Sequence, residues 1–332
     1  MNILADLHHS DLYHSLYLLF EKRFGHKLYR PIGMDWKAAG YWQHFTDPPY
    51  GSTCPCLKDN EHVRYDEAEK AYICHQISQE TDQRAITLQR FKEMDFGIII
   101  SSLPNHWVSF QKLADMKGAK HIAQVGNIGP TWLGAPVANV MSSVPPSIYK
   151  RREGQNIVYY HQEFDTNIFK PTAPMLAYAI SSFIHIMPGS ELYAQVKAAL
   201  PEYNFSAFGV GRPNGQLPRL RDVAEKMMNS MFGWQVKPED GYGHVLHNWL
   251  AVGRPVITKL SDYEHRRNIL IPDVTCIDVD GKDAGQVASE IRRCSQPETY
   301  DRMCASVREV FAREVNFDAD AERIKLFMER LI

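Results

Sequence analysis

Apolar residues recur along this chain in two rhythms. Short consecutive runs, of which residues 96–103 (FGIIISSL) are the strongest, read as strands covered on both faces. Longer segments repeat every three to four positions, as Leu12, Leu16, Leu19, Phe20 and Phe24 do, and read as helices with one buried stripe. The pattern predicts strands at 2–6, 27–31, 96–103, 121–125, 137–143, 156–161, 177–186, 204–210, 232–236, 255–258 and 274–279. It predicts helices at 11–24, 86–94, after Trp107 to Met116, and at 190–200, 217–230, 262–268, 283–312 and 318–331. Strands alternating with helices give an α/β fold with parallel sheets, which bind ligands at the carboxyl ends of their strands. Residues 33–80 hold no clean period and carry Trp36, Tyr41, Trp42, Phe45 and Tyr50, so they read as an irregular, ordered insertion.

A length of 332 residues suits two domains. Hydrophobic residues make up 44% and charged residues 23%, the balance of a globular protein, and no apolar run nears the roughly 18 residues of a membrane span. The opening MNILADLHHSD has no basic leader, so a cytoplasmic location is expected. A net charge of −2 argues against a broadly basic surface for nucleic acid, although Lys150, Arg151 and Arg152 form a local basic turn. Six cysteines make no disulfide framework; Cys54, Cys56, Cys74 and His75 fit no common zinc spacing, and no metal is expected.

The most informative stretch is PEDGYGHVLHNWLAVGRPVI, residues 238–257. Asp240 precedes Gly241, Tyr242 and Gly243; His244 then opens a helix that Gly253-Arg254-Pro255 ends before a new strand. Glycines ahead of a helix start let backbone N–H groups approach an anion, most often phosphate. Asp240 can hold sugar hydroxyls beside it. Positions i, i+4 and i+8 share a helix face, which brings Asn248 to the same side. Strand ends also place His8, His9 and Ser10, then His106, then Asn127 where ligands bind.

The stretch resembles the donor-sugar motif of family-four glycosyltransferases of the GT-B fold, Glu-Gly-Phe-Gly, four residues, Glu-Ala-Met-Ala-x-Gly-x-Pro-Val-Ile. The two family glutamates fall on Asp240 and Asn248. A second match, Phe164 through Pro171, resembles the Asn-Gly-Val-Asp-x-x-x-Phe-x-Pro that ends the family's first domain, with Glu163 where glycine usually stands. The resemblance implies two Rossmann-like domains with parallel sheets facing a central cleft. It implies a first domain over 1–168 with the insertion at 33–80, a nucleotide-sugar domain over 169–317, and a last helix at 318–332 crossing back to the first.

It further implies a sugar transferase using a nucleotide diphospho-sugar, with retention and with no required cofactor. Asp240 would grip the sugar and Asn248 the ribose, alongside Gly241, Tyr242, Gly243 and His244. The family's Arg–Lys clamp on the diphosphate has no counterpart in residues 181–190, which leaves Arg212 and Arg254 as its substitutes. An inverting reaction would need a base, for which His8, Asp11 and His106 are the candidates. His9, Ser10, Trp36, Tyr41, Trp42 and Asn127 are expected on the acceptor side. The acceptor is a hydroxyl on a small metabolite, a saccharide, or a hydroxymethylated pyrimidine in DNA, whose extruded base could stack on the aromatics. A sugar-nucleotide binding module without catalysis and a sugar-nucleotide epimerase are the alternatives.

Overall fold

A computed structural model describes residues 1–6, 10–41, 61–149, 151–175, 178–183, 190–209, 211–236 and 243–331. The chain forms two compact units, one of residues 1–164 with 317–332, the other of residues 165–316.

The first unit opens with β1 (Asn2–Ala5), α1 (Ser10–Tyr17) and a π-helical segment Leu18–Arg23, then β2 (Lys27–Pro31) and α2 (Met34–Ala38). It continues with β3 (Glu61–Asp66), β4 (Ala71–Gln76), β5 (Thr81–Ile86), α3 (Leu88–Glu93), β6 (Ile98–Ser101), α4 (Trp107–Lys117), β7 (Lys120–Val125), α5 (Pro130–Leu133), β8 (Asn139–Ser142) and β9 (Asn156–Tyr159). These strands make one sheet in the order β3-β4-β5-β2-β1-β6-β7-β8-β9, parallel except where β4 pairs with β3 and β5. Ile3, Leu4, Ile98, Ile99, Ile100 and Ile122 form its core with Tyr13 and Leu16 of α1 and Phe20 of the π-helical segment. β1 is followed by β2 on one side and has β6 on the other, so the strand order reverses there.

The expectation of an irregular 33–80 insertion is corrected. Its first residues form α2, and β3 and β4, with β5, extend the sheet as an antiparallel meander. Trp36, expected on the acceptor side, is a core residue: its ring is fully buried against Phe91, and Nε1 donates to the Ile86 carbonyl at 2.9 Å. Tyr41 is partly buried against the same core. Trp42, Cys54 and Cys56 lie outside the described residues. Cys74 is a buried thiol, whereas its neighbour His75 bonds Asp82 at 2.8 Å, since successive strand residues face opposite ways.

The second unit holds β10 (Ala179–Ser182), α6 (Ser190–Ala199), β11 (Asn204–Ala207), α7 (Leu220–Met228), β12 (Phe232–Trp234), α8 (His244–Ala251) and β13 (Val256–Thr258). Leu260–Arg266 forms a 3₁₀ segment where an α-helix was expected, and β14 (Cys276–Asp278), α9 (Ala284–Cys294) and α10 (Pro297–Glu314) follow. Its separate parallel sheet has the order β11-β10-β12-β13-β14, which reverses between β10 and β12. Gly233 in β12 is there for space: a Cβ would stand 2.4 Å from the ring of Trp249, which lies on it.

α11 (Phe317–Glu329) belongs to the first unit, where Ala321, Ile324, Phe327 and Met328 join its core. The chain leaves that unit after Phe164 and returns at Phe317, and these two rings meet edge to face at 5.1 Å. Arg23 holds both ends of the excursion, donating to Glu163 at 2.7 Å and to Asp318 at 2.6 Å. This explains a glutamate where the family has glycine. Burial raises the Glu163 carboxyl's pKa against the pull of Arg23, so the pair fixes geometry more than it stabilises. Asp320 accepts from the backbone N–H and Nδ1 of His161, both at 2.9 Å.

His121 on β7 carries a pH dependence. Its Nδ1 faces Gln111 Oε1 at 3.0 Å and its Nε2 faces Ser101 Oγ at 2.7 Å, an arrangement a neutral ring satisfies. Burial lowers its pKa to about 4, although Asp6 and Asp115 pull the other way. The unfolded chain takes up this proton near pH ~6.5 and the folded one does not. Stability from this group is therefore complete above that pH and falls by up to about 3 kcal/mol as pH drops toward the folded pKa. His121→Gln should flatten that part of the profile in urea unfolding at successive pH values; an unchanged wild-type slope would refute the assignment.

Candidate functional site

The order of parallel strands reverses beside β1 in the first sheet and beside β10 in the second; of the residues singled out by sequence, Ser10, Asp11, His106 and Asn127 belong to the first unit and Arg212, His244 and Asn248 to the second. In the first unit Asp6 ends β1 and is fully buried. Both its oxygens accept the Ser102 N–H at 2.8 Å, and Oδ2 also accepts the Leu103 N–H at 3.2 Å and Nδ1–H of His106 at 2.8 Å. His106 stacks on Phe110 with ring centroids 5.4 Å apart. Its side chain is wholly buried with Nδ1 on the Asp6 carboxylate, and so it holds Asp6 and the turn after β6 in place. Ser102 also receives a bond from Trp132 Nε1 to its carbonyl at 3.3 Å. Asp11 in α1 accepts from Gln79 at 3.4 Å; Ser10 opens that helix, and Asn127 lies partly exposed after β7. His8 and His9 are outside the described residues.

In the second unit the segment between β12 and α8 includes Asp240, Gly241 and Tyr242, which lie outside the described residues. Gly243 caps α8 with φ 82° and ψ 49°, a left-handed conformation that glycine adopts without strain. Among the described residues no side chain caps this helix. His244 is the first helical residue and partly exposed, while His247 is buried with Nδ1 2.9 Å from the Gly243 carbonyl. One turn further, Asn248 is buried and its Oδ1 has no hydrogen-bond partner. The buried Gln235, just past β12, gives Nε2 to Tyr263 at 3.0 Å and likewise leaves Oε1 unpaired. So does Ser182 Oγ at the end of β10.

Arg212 is partly exposed in a tight turn after β11, where its N–H donates to the Gly209 carbonyl at 3.1 Å. Arg254 is a correction. Its guanidinium is fully buried and donates to the carbonyls of Ser230, Thr172, Ala173 and Met228 and to the Thr172 hydroxyl, at 2.7–3.2 Å. Nη1 also donates to the Val252 carbonyl at 3.2 Å, so all three guanidinium nitrogens are engaged. Arg254 thus ties the start of the second unit to the loop before β13 and is not a diphosphate clamp.

Sequence reasoning missed Asp6, Ser102, Gln124 and Gln235. Each stands at or just past the polar end of an apolar run, the signal that marks the carboxyl end of a buried parallel strand. Among the described residues no helix is long and apolar enough to cross a membrane. Arg254→Lys, which keeps the charge and loses the planar fork, should lower second-unit stability by roughly 3 kcal/mol or more through unpaired buried carbonyls. A variant that melts as the wild type does would return Arg254 to ligand binding.

No protein-family model matches the chain, and no curated protein matches it. Solved structures do match in fold over its length. Sucrose-phosphate synthase from Thermosynechococcus elongatus has a TM-score of 0.66 at 12% identity, covering 100% of this chain and 99% of that one. HepE from Anabaena, in complex with UDP and glucose, has a TM-score of 0.65 at 11% identity over 99% of both chains. The pneumococcal O-GlcNAc transferase GtfA, in complex with UDP and GlcNAc, has a TM-score of 0.64 at 10% identity, covering 100% of this chain and 99% of that one. The chain has the GT-B fold of these glycosyltransferases.

Proposed function

We propose that this chain is a glycosyltransferase that moves a sugar from a nucleotide diphospho-sugar to an acceptor hydroxyl. The observation that carries the reading is α8: its N-terminus follows a left-handed glycine beside the order reversal of the second sheet, and among the described residues the buried Asn248 Oδ1 is unpaired. The N–H groups there suit a diphosphate, and an unpaired amide oxygen suits a ribose hydroxyl. UDP is the nucleotide favoured, because HepE and GtfA bind it. Asp240 would hold the sugar beside the motif's glycines.

Catalysis would rest on positioning and on stabilising the departing diphosphate. The bond from the anomeric carbon to the diphosphate breaks, a bond from that carbon to the acceptor oxygen forms, and the acceptor's proton passes to the diphosphate. This route retains configuration and needs no protein base, which agrees with the sealed setting of His106. Arg212, in its turn after β11, is the cation best suited to the diphosphate once Arg254 is assigned to structure.

Asn248→Leu, close in shape but unable to accept a hydroxyl, should weaken UDP binding about ten-fold, read as a smaller thermal shift at a fixed UDP concentration. Asp240→Ala should instead cut UDP-glucose turnover about ten- to hundred-fold, the value of a charged hydrogen bond, while UDP still binds. Wild-type UDP binding in Asn248→Leu together with wild-type turnover in Asp240→Ala would remove the donor-site roles of these two residues, and a wild-type chain that neither binds UDP nor turns over UDP-glucose would remove the transferase assignment.

A further inference from the structure

The first unit carries a group of unsatisfied polar atoms that the donor reading leaves unused. The last registered pair of β6 and β7 is Ser101 with Ala123, so Ser102 and Gln124 stand side by side one step further on, facing the same way. Ser102 is 2% exposed and Gln124 is 0% exposed. Gln124 Nε2 donates to the Tyr160 hydroxyl at 2.9 Å, and its Oε1 has no partner. Ser102 is held by its backbone on both sides, N–H to Asp6 and carbonyl from Trp132, yet its Oγ has no partner either. A third amide closes in beside them. A Cβ on Gly126 would come within 2.7 Å of Gln162 Nε2 and 3.5 Å of Gln124 Nε2, so only glycine leaves room for those groups.

A buried polar atom without a partner costs more than a made hydrogen bond gains, so two neighbouring ones ask for an occupant. They lie at the carboxyl ends of strands beside the reversal between β1 and β6, where sheets of this kind take ligands. A serine hydroxyl and an amide oxygen are neutral and pair with hydroxyl groups. The Ser102 N–H is bonded to the Asp6 carboxylate, a negative charge that would repel a phosphate. We propose that Ser102 and Gln124 form the acceptor subsite and that the acceptor is an uncharged polyhydroxyl compound, a sugar or polyol, rather than a nucleic acid. The proposal rests on the transferase reading above for its place in the reaction, but the binding it requires does not depend on the donor.

The test uses the full chain with UDP-glucose and two kinds of acceptor: a panel of methyl glucoside, maltose and myo-inositol, and a DNA duplex containing hydroxymethylcytosine. Mass spectrometry should find the added hexose on a member of the neutral panel. Ser102→Ala and Gln124→Met, each verified as folded by circular dichroism, should raise that acceptor's KM roughly five- to ten-fold, the loss of one hydrogen bond, with kcat changing less. Transfer to the duplex alone would overturn the proposal. So would wild-type KM values in both variants, the mark of a site filled by a structural water. If the wild type neither binds UDP nor cleaves UDP-glucose, the donor reading fails. The subsite is then judged by thermal shift with the neutral panel: a shift lost in Ser102→Ala upholds it, and no shift for the wild type refutes it.

Discussion

A carboxylate sealed from water survives only if its lone pairs are engaged, because burying a bare charge costs several kcal/mol or more. Asp6 meets that condition with two backbone N–H groups and an imidazole, and every one of these donors comes from the turn after β6. The consequence is mechanical. The end of β1 and the turn that opens α4 are fixed to each other where the sheet's strand order reverses. Ser102 takes its position from this tie, and Trp132 is aligned through the Ser102 carbonyl. This end of the first unit's sheet is therefore built from the charge at Asp6 outward, even though Ser102 and Gln124, the pair proposed to meet the acceptor, are neutral.

The second unit solves the same problem with a cation. Arg254 gathers carbonyls from the entry segment at Thr172 and Ala173, from the end of α7 and from the neighbourhood of Ser230. One rigid fork takes these oxygens together. The loop after α8 is held by it, and Trp249 against Gly233 sets how closely α8 lies on β12. A helix fixed in this way presents its first turn with little freedom, which is what a site working by preorganised N–H groups requires.

Much of this fold could be read in the sequence because buried parallel strands are nearly pure apolar runs. Residues 96–103 are the plainest case, with Ile98, Ile99 and Ile100 all fully buried. The meander β3-β4-β5 was illegible for two physical reasons. Gln76, Gln83 and Cys74 occupy buried positions, which breaks the alternation of apolar and polar residues. Its turns also carry Lys70 and Glu80 at φ 49° and 51°, in place of the glycine or asparagine that usually announces that conformation. At the site, glycines and a helix start were legible because they are local. Asp6 was not, since its partners lie about a hundred positions away along the chain. Arg254 was misread because a motif gives a residue's address and not the direction of its side chain.

Two of the departures from the family pattern share one feature. Asn248 stands where a glutamate is usual, Glu163 where a glycine is, and the Arg–Lys pair after the first strand of the second domain is missing. Glu163 is taken up by Arg23, so that added charge serves the chain crossing and not the ligand. Removing a carboxylate at position 248 and two cations opposite a diphosphate lowers the charge of both sides of the same binding event. A neutral acceptor oxygen repels the diphosphate less than a carboxylate would, so fewer cations are needed to hold it, and helix N–H groups can carry a larger share. The neutral residue at 248 and the missing Arg–Lys pair are thus consistent with one site tuned toward neutral hydrogen bonding rather than with two independent losses, while Glu163 stands apart from it. The uncharged pair Ser102 and Gln124 in the first unit, proposed to hold the acceptor, would extend the same chemistry.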